Sequence, residues 1–235
     1  MKKLSPVARL LPLAMLLLAG CQSLPPASDG VSRATVTDAK VSRWPSGTRF
    51  VVDRSQSRLR LIVRAEGPMA RLGHPHVIGG SVIEGEIVLA EPFRESALRL
   101  AIDVGALAVD RPEWRAAEGF EGAVDADAVE GTRRNMLSPA LLDAEAHPEI
   151  RIESIAIIGP RWQPDIRARV SLAGETRALT VPVTLNIQDG TLTAAGRFLI
   201  RQTDFGLTPY SAAGGALRVS DEVLVRFRIE ANAVD

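Results

Sequence analysis

Two of the three histidines stand in one ten-residue stretch, RLGHPHVIGG, Arg71 to Gly80, separated by a single proline. Imidazole binds borderline metals, moves protons near neutral pH and hydrogen-bonds carbonyls and phosphates. His74 precedes Pro75, which biases it toward extended backbone, and Pro75 fixes its own φ at about −65°. In a strand His74 and His76 share a face; in a polyproline-like turn of about three residues they splay apart. A metal site needs three or four ligands. His147 also precedes a proline, and Cys21 is the only cysteine, so a complete site must draw on carboxylates such as Glu84, Glu145 or Glu149. Two readings stay open. Either His74, His76 and His147 hold a metal or haem iron, or they are rim groups that hydrogen-bond a ligand headgroup or the backbone. The residue inventory favours the second, and no metal cofactor is expected.

Catalysis has less to rest on. The chain lacks a G-x-S-x-G elbow, an H-E-x-x-H helix, a phosphate-cradling G-x-x-x-x-G-K and a dinucleotide fingerprint. Ser81, His76 and Asp103 make a triad on paper, as some trio does in most chains. The expectation is a binding protein and not an enzyme.

The amino terminus reads as a leader. In MKKLSPVARLLPLAMLLLAGC the basic Lys2, Lys3 and Arg9 precede an apolar run that contains Pro12 and ends at the only cysteine. That run is too short for a span of about twenty residues and is set apart from the fold. LAGC resembles the bacterial lipobox, which implies cleavage after residue 20, a diacylglycerol thioether with palmitate-like chains on Cys21, and a bacterial lipoprotein. Two chains on one residue suffice for stable anchoring. The lipobox resemblance, with Gln22 in place of aspartate after the cysteine, implies the periplasmic face of the outer membrane. Residues 21–47 are rich in Pro, Ser, Ala and Thr and are expected to be a flexible tether, with 41–44 available as an extra edge strand. Residues 48–235 form the domain.

Without the leader the 28 basic residues fall to 25, against 28 acidic ones. That balance argues against a nucleic-acid binder, where a basic stripe would be expected. With no second cysteine there is no internal disulfide, so stability must come from packing.

These side chains must be positioned by strands. Alternation dominates from Phe50 onward, the sign of half-buried β-structure. RLRLIVRAE sets Leu59, Leu61 and Val63 against Arg58, Arg60 and Arg64, and ALRLAIDVGALAVD sets Leu98, Leu100, Ile102 and Val104 against Arg99, Ala101 and Asp103. SVIEGEIVLAE, EIRIESIAIIG, DIRARVSLAGE, LTVPVTLNI, TLTAAGRFLIRQ and EVLVRFRIEAN continue the series. Asp189 and Gly190 in NIQDGTL predict a tight hairpin. At least eight antiparallel strands with one aliphatic face must close as a barrel or stack as a sandwich. The arginines are expected outside, with a few free to neutralise an anionic headgroup near a mouth. Between Asp110 and Ile150 alternation stops; the segment predicts a helix over about 125–137 and packs across one mouth, as a plug or as a lid.

Four segments in order carry a family resemblance: RNMLSPALLDAEAHPEIRIES, VSLAGETRALTVPVTL, RQTDFGLTPY and GALRVSDEVLVRFRIEA. Together they resemble the YceI-like family over about 50–231, although VRAEGPMARLGHPHVIGGSVIEGEI departs from the family's usual first region. The resemblance implies an all-β, lipocalin-like antiparallel barrel of about eight strands with one helical insertion across a mouth, enclosing a polyisoprenoid or similar amphiphile. The chain itself has ten aromatic residues (Trp 3, Tyr 1, Phe 6) among abundant aliphatics, a lining suited to a flexible hydrocarbon. The interior or mouth candidates are Leu59, Leu61, Val63, Leu100 and Ile102 on strands and Trp114, Phe120, Met136 and Leu141 in the insertion. Phe198, Phe205, Tyr210 and Phe227 complete them. The expected partners are an isoprenoid, quinone or fatty-acyl amphiphile, the membrane through Cys21, and a second copy of the chain in a homodimer. The alternatives are a periplasmic metal- or haem-binding barrel using His74 and His76, and a ligand-free structural or stress-response module.

Overall fold

The computed structural model describes residues 44–234. The leader, the lipobox cysteine and most of the tether lie outside them. Trp44, the end of the proposed edge strand, is not in a strand; its ring lies 4.2 Å from the guanidinium of Arg99.

The chain is almost wholly β. Its elements in order are β1 (Thr48–Val52), β2 (Arg58–Val63), β3 (Ala65–Glu66), β4 (His76–Gly80), β5 (Ile83–Leu89), β6 (Ala97–Asp103), β7 (Ala108–Val109), α1 (Pro112–Ala117) and α2 (Ala126–Leu137). Then follow β8 (Glu149–Ile158), β9 (Asp165–Leu172), β10 (Glu175–Pro182), β11 (Thr184–Gln188), β12 (Thr191–Arg201), β13 (Ser211–Ala212), β14 (Leu217–Val219) and β15 (Glu222–Val234). The main sheet runs β10-β9-β8-β6-β5-β1-β15-β2-β4-β7, with β12 on β15 and β11 on β12. Every pairing in it is antiparallel, as the alternation requires. A small sheet, β13-β14-β3, stands apart.

Register places the aliphatic rows together. Leu100 faces Gly85 and Ile152 across β6, and Leu59 faces Phe227 and Gly80 across β2. Phe50, Leu59, Ile83, Ile87, Leu100, Ile102, Leu192 and Ile229 join one buried cluster inside the curled sheet. The predicted hairpin is present: Asp189 and Gly190 have φ of 50° and 76°, the positive pair that a two-residue turn with the right twist needs.

The sheet does not close into a hydrogen-bonded ring: its path ends at β10 and at β7, with β12 and β11 branching from β15. LTVPVTLNI, read from sequence as one strand, is two: β10 pairs with β9, the chain shifts at Val183, and β11 pairs with β12. Pro182 has no N–H to continue a ladder, and the Val183 N–H goes instead to the Pro164 carbonyl at 2.9 Å. Residues Gly196–Arg201 of β12 therefore bond β15 on one edge only. They pack alongside β10 without a backbone ladder between them.

The insertion folds as two helices. Asp125 caps α2 by accepting the Ala128 N–H at 2.9 Å, and Met136 of that helix is buried in the interior cluster. α2 packs against β7. The shorter α1 starts with Pro112 at its first turn and folds back over the outside of the sheet.

Candidate functional site

The interior retains a cavity of about 140 Å³, and all of its lining is apolar. Alternation on nine strands produces this, each contributing its inward row. Of the residues named from sequence, Leu59, Leu100, Ile102, Phe198 and Phe227 line it. Ala168 and Ala194 keep it open by being small, and Gly196 lets the Phe227 ring and the Pro182 carbonyl approach where a Cβ would meet them at 2.7 and 2.6 Å. Phe198 and Phe227 pack edge to face with centroids 6.4 Å apart, beside the unladdered stretch of β12.

The remaining named residues lie elsewhere. Leu61 and Val63 face inward but only pack at the margin of the cluster. Met136 is core, and Leu141 is half-buried away from the cavity. Trp114 and Phe120 are not gates: the turn at Asp110, φ 50°, sends α1 over the outer face, where they lie against the guanidiniums of Arg60 and Arg64. Phe205 is 1% exposed yet outside the interior cluster. Tyr210 is 54% exposed beside the small sheet.

A second constellation forms around His76. Its Nδ1 lies 2.6 Å from Asp110 Oδ2, and the other carboxylate oxygen accepts the Val77 N–H at 2.8 Å and Arg115 Nη1 at 3.2 Å. Arg115 also donates to the Pro75 carbonyl. His74 stands beside His76, ring centroids 4.7 Å apart. Ligand atoms of His74, His76 and Asp110 all lie within 4.8 Å of one another. Burial, then the neighbouring His76, pushes the His74 pKa below its ordinary value, so this imidazole is neutral at neutral pH. Burial works to raise the Asp110 pKa, but the bonds from His76, Val77 and Arg115 hold it below the usual carboxylate range.

His147 is not part of this group. It packs against Gly174 in the β9–β10 turn, within 3.0 Å of where a Cβ would stand. Glu84 and Glu149 face Arg54 and Arg151 instead. The paper triad also dissolves: Asp103 caps the Ala106 N–H and faces Arg54 at 3.6 Å. Asp221 holds the QTDFG turn, accepting Thr203 N–H and Oγ1–H at 2.9 and 2.7 Å, while Gly206 takes the positive φ of 70° that closes it. Sequence reasoning missed Asp110 and Arg115. The signal available was AVDRPEW, an aspartate ending an alternating run just before a helix-starting proline.

Comparison with known proteins places the chain. No curated protein matches the sequence. Among solved structures, BcnA of Burkholderia cenocepacia aligns with a TM-score of 0.58 at 17% identity, covering 77% of this chain and 99% of that one. A polyisoprenoid binding domain from Saccharophagus degradans, implicated in plant cell wall breakdown, aligns with a TM-score of 0.54 at 15% identity, covering 79% and 98%. At these identities the likeness is one of fold. The YceI-like domain model matches residues 50–231, from the first interior residue of β1 to the last buried residue of β15, and the chain therefore belongs to the YceI-like family.

Proposed function

We propose that this protein binds an amphiphile by enclosing its hydrocarbon end in the interior cavity, as a carrier or reservoir and not as an enzyme. The observation that carries the reading is the wholly apolar lining of an interior space of about 140 Å³. A dry apolar cavity of about this size takes a benzene-sized molecule, so the resting space holds roughly one isoprene-sized group. A longer chain of isoprenoid, quinone or fatty-acyl type needs more room, which rotation of the half-buried Phe198 and Phe227 at the unladdered stretch supplies. The polyisoprenoid binding domain among its structural neighbours is consistent with this choice. The test is organic extraction of protein purified from its own host, followed by mass spectrometry and by titration with a fluorescent prenyl or acyl probe. Absence of any stoichiometric lipid, together with no saturable probe binding, would overturn it.

The same reading places the domain in the bacterial envelope, tethered through an acylated Cys21. Cys21→Ser is expected to abolish incorporation of labelled palmitate and release the protein from the membrane fraction. The cluster of His74, His76 and Asp110 serves here as a rim network that docks α1. Asp110 already has Arg115 as its counter-cation at 3.2 Å, so a divalent ion would compete with a buried guanidinium for the same carboxylate. Zinc titration is therefore expected to give equally weak binding for wild type and for His74→Ala/His76→Ala; tight binding lost in the variant would restore the metal reading.

A further inference from the structure

The outer face of β2 and β15 carries four arginines in register, Arg58 opposite Arg228 and Arg60 opposite Arg226. Like charges directly opposite one another weaken a ladder, so each needs an answer. Glu118, just past α1, clasps Arg226 with both carboxylate oxygens at 2.8 and 2.7 Å, and Glu230 lies 3.6 Å from Arg228. Arg58 and Arg60 form no ion pair among the described residues, and neither does Arg111 at the start of α1. These three guanidiniums line one cleft of about 660 Å³, in which Glu113 is the sole acid.

The cleft is organised as well as charged. Trp114 lies with its ring 3.8 Å from the Arg60 guanidinium and 5.0 Å from that of Arg111, so one indole orients both. Arg60 is further fixed by donating to the Leu59 carbonyl at 2.7 Å. Gly80, Ala106 and Ala108 leave the opposite wall without long side chains. Burial first, and Arg58 next, lowers the Arg60 pKa, the expected result when a half-buried cation has a like charge beside it.

We propose that this cleft binds a phosphate or diphosphate group, with Arg58, Arg60 and Arg111 as its ligands and Trp114 as the platform that holds two of them. Guanidiniums present paired N–H donors that match phosphate oxygens. The site is separate from the interior cavity, because Arg58 and Arg60 point out of the sheet while Leu59 between them points in. Its phosphate comes from a soluble phosphorylated molecule or from a lipid headgroup at a membrane surface, and the chemistry is shared.

The experiment titrates the full chain with inorganic pyrophosphate, following heat and tryptophan fluorescence. In parallel it measures co-sedimentation with phosphatidylcholine vesicles with and without phosphatidic acid. Saturable binding is expected, weakened by added salt, and reduced about tenfold or more in Arg58→Gln/Arg60→Gln. Arg111→Gln, at an exposed position outside the ladder, is expected to weaken it several-fold and serves if the double variant does not fold. Binding of pyrophosphate assigns a soluble source, and binding of phosphatidic acid vesicles alone assigns a headgroup. Either one, lost in the variants while the apolar probe still enters the cavity, supports the site. No binding of either ligand, or binding that the variants leave unchanged, overturns it.

Discussion

Replacing Asp110 by alanine is expected to cost about 3–5 kcal/mol of folding stability, the range for removing one partner of a buried ion pair. The carboxylate is wholly buried and answers three donors from two segments: His76 and the Val77 backbone in β4, and Arg115 in α1. Without it Arg115, itself 4% exposed and with a buried Nε that already lacks a partner, keeps only the Pro75 carbonyl. Asp110→Asn should cost less, since asparagine tolerates the positive φ of 50° better than alanine and preserves an acceptor. Urea denaturation followed by tryptophan fluorescence checks both, and a loss below about 1 kcal/mol for alanine would show that the network contributes little.

The pH dependence follows from the same bonds. The folded Asp110 pKa lies below its unfolded value, so its contribution is fully present above that unfolded value, about 3.9, and is lost as pH falls through the folded one. For His74 the depressed folded value means that the unfolded chain takes up a proton first, so stability declines as pH falls below about 6.5. The His74 loss begins at higher pH than the Asp110 loss, and acid titration of the Asp110→Asn protein should retain it.

Filling the cavity should have the second large effect. Ala194→Leu adds three methyl-sized groups to a wall residue that faces the apolar space. They displace an equal volume of ligand, about two or three methylenes at roughly 0.8 kcal/mol each, which predicts a loss of apolar-probe affinity of about 15- to 60-fold. Because the added atoms enter a void, the stability change should stay below the usual overpacking cost of about 1–3 kcal/mol. Ala168→Leu, also in the lining, should act alike, and Phe198→Ala should admit longer probes. If affinity is unchanged in both leucine variants while the proteins remain folded, the ligand does not reside in this cavity.

The parts of the site that were legible in the sequence are those governed by a two-residue period. Leu59, Leu100 and Ile102 could be set on the inner face because each lies in an uninterrupted alternating run, and pleating alone decides which way such a side chain points. The insertion was the opposite case. Trp114, Phe120, Met136 and Leu141 looked like one apolar group, but the Asp110 turn sends α1 outside while α2 delivers Met136 to the core. Periodicity says which face of an element is apolar; it does not say where that element is carried.

The sequence by itself determined an antiparallel β-domain with an aliphatic inner face and a guanidinium-rich outer one, the capped helix after Asp125 and the Asp189–Gly190 hairpin, since these follow from local geometry and side-chain chemistry. Tertiary structure alone decided that His76 meets Asp110 and Arg115 while His147 lies against Gly174, that the wall shifts at Pro182, and that Arg58, Arg60 and Arg111 share one cleft. The His76 group and the arginine cleft join residues far apart in the chain, brought together by the pairing of β4 with β7 and the return of α1 across the sheet, and the other two depend on how β8 to β12 pair.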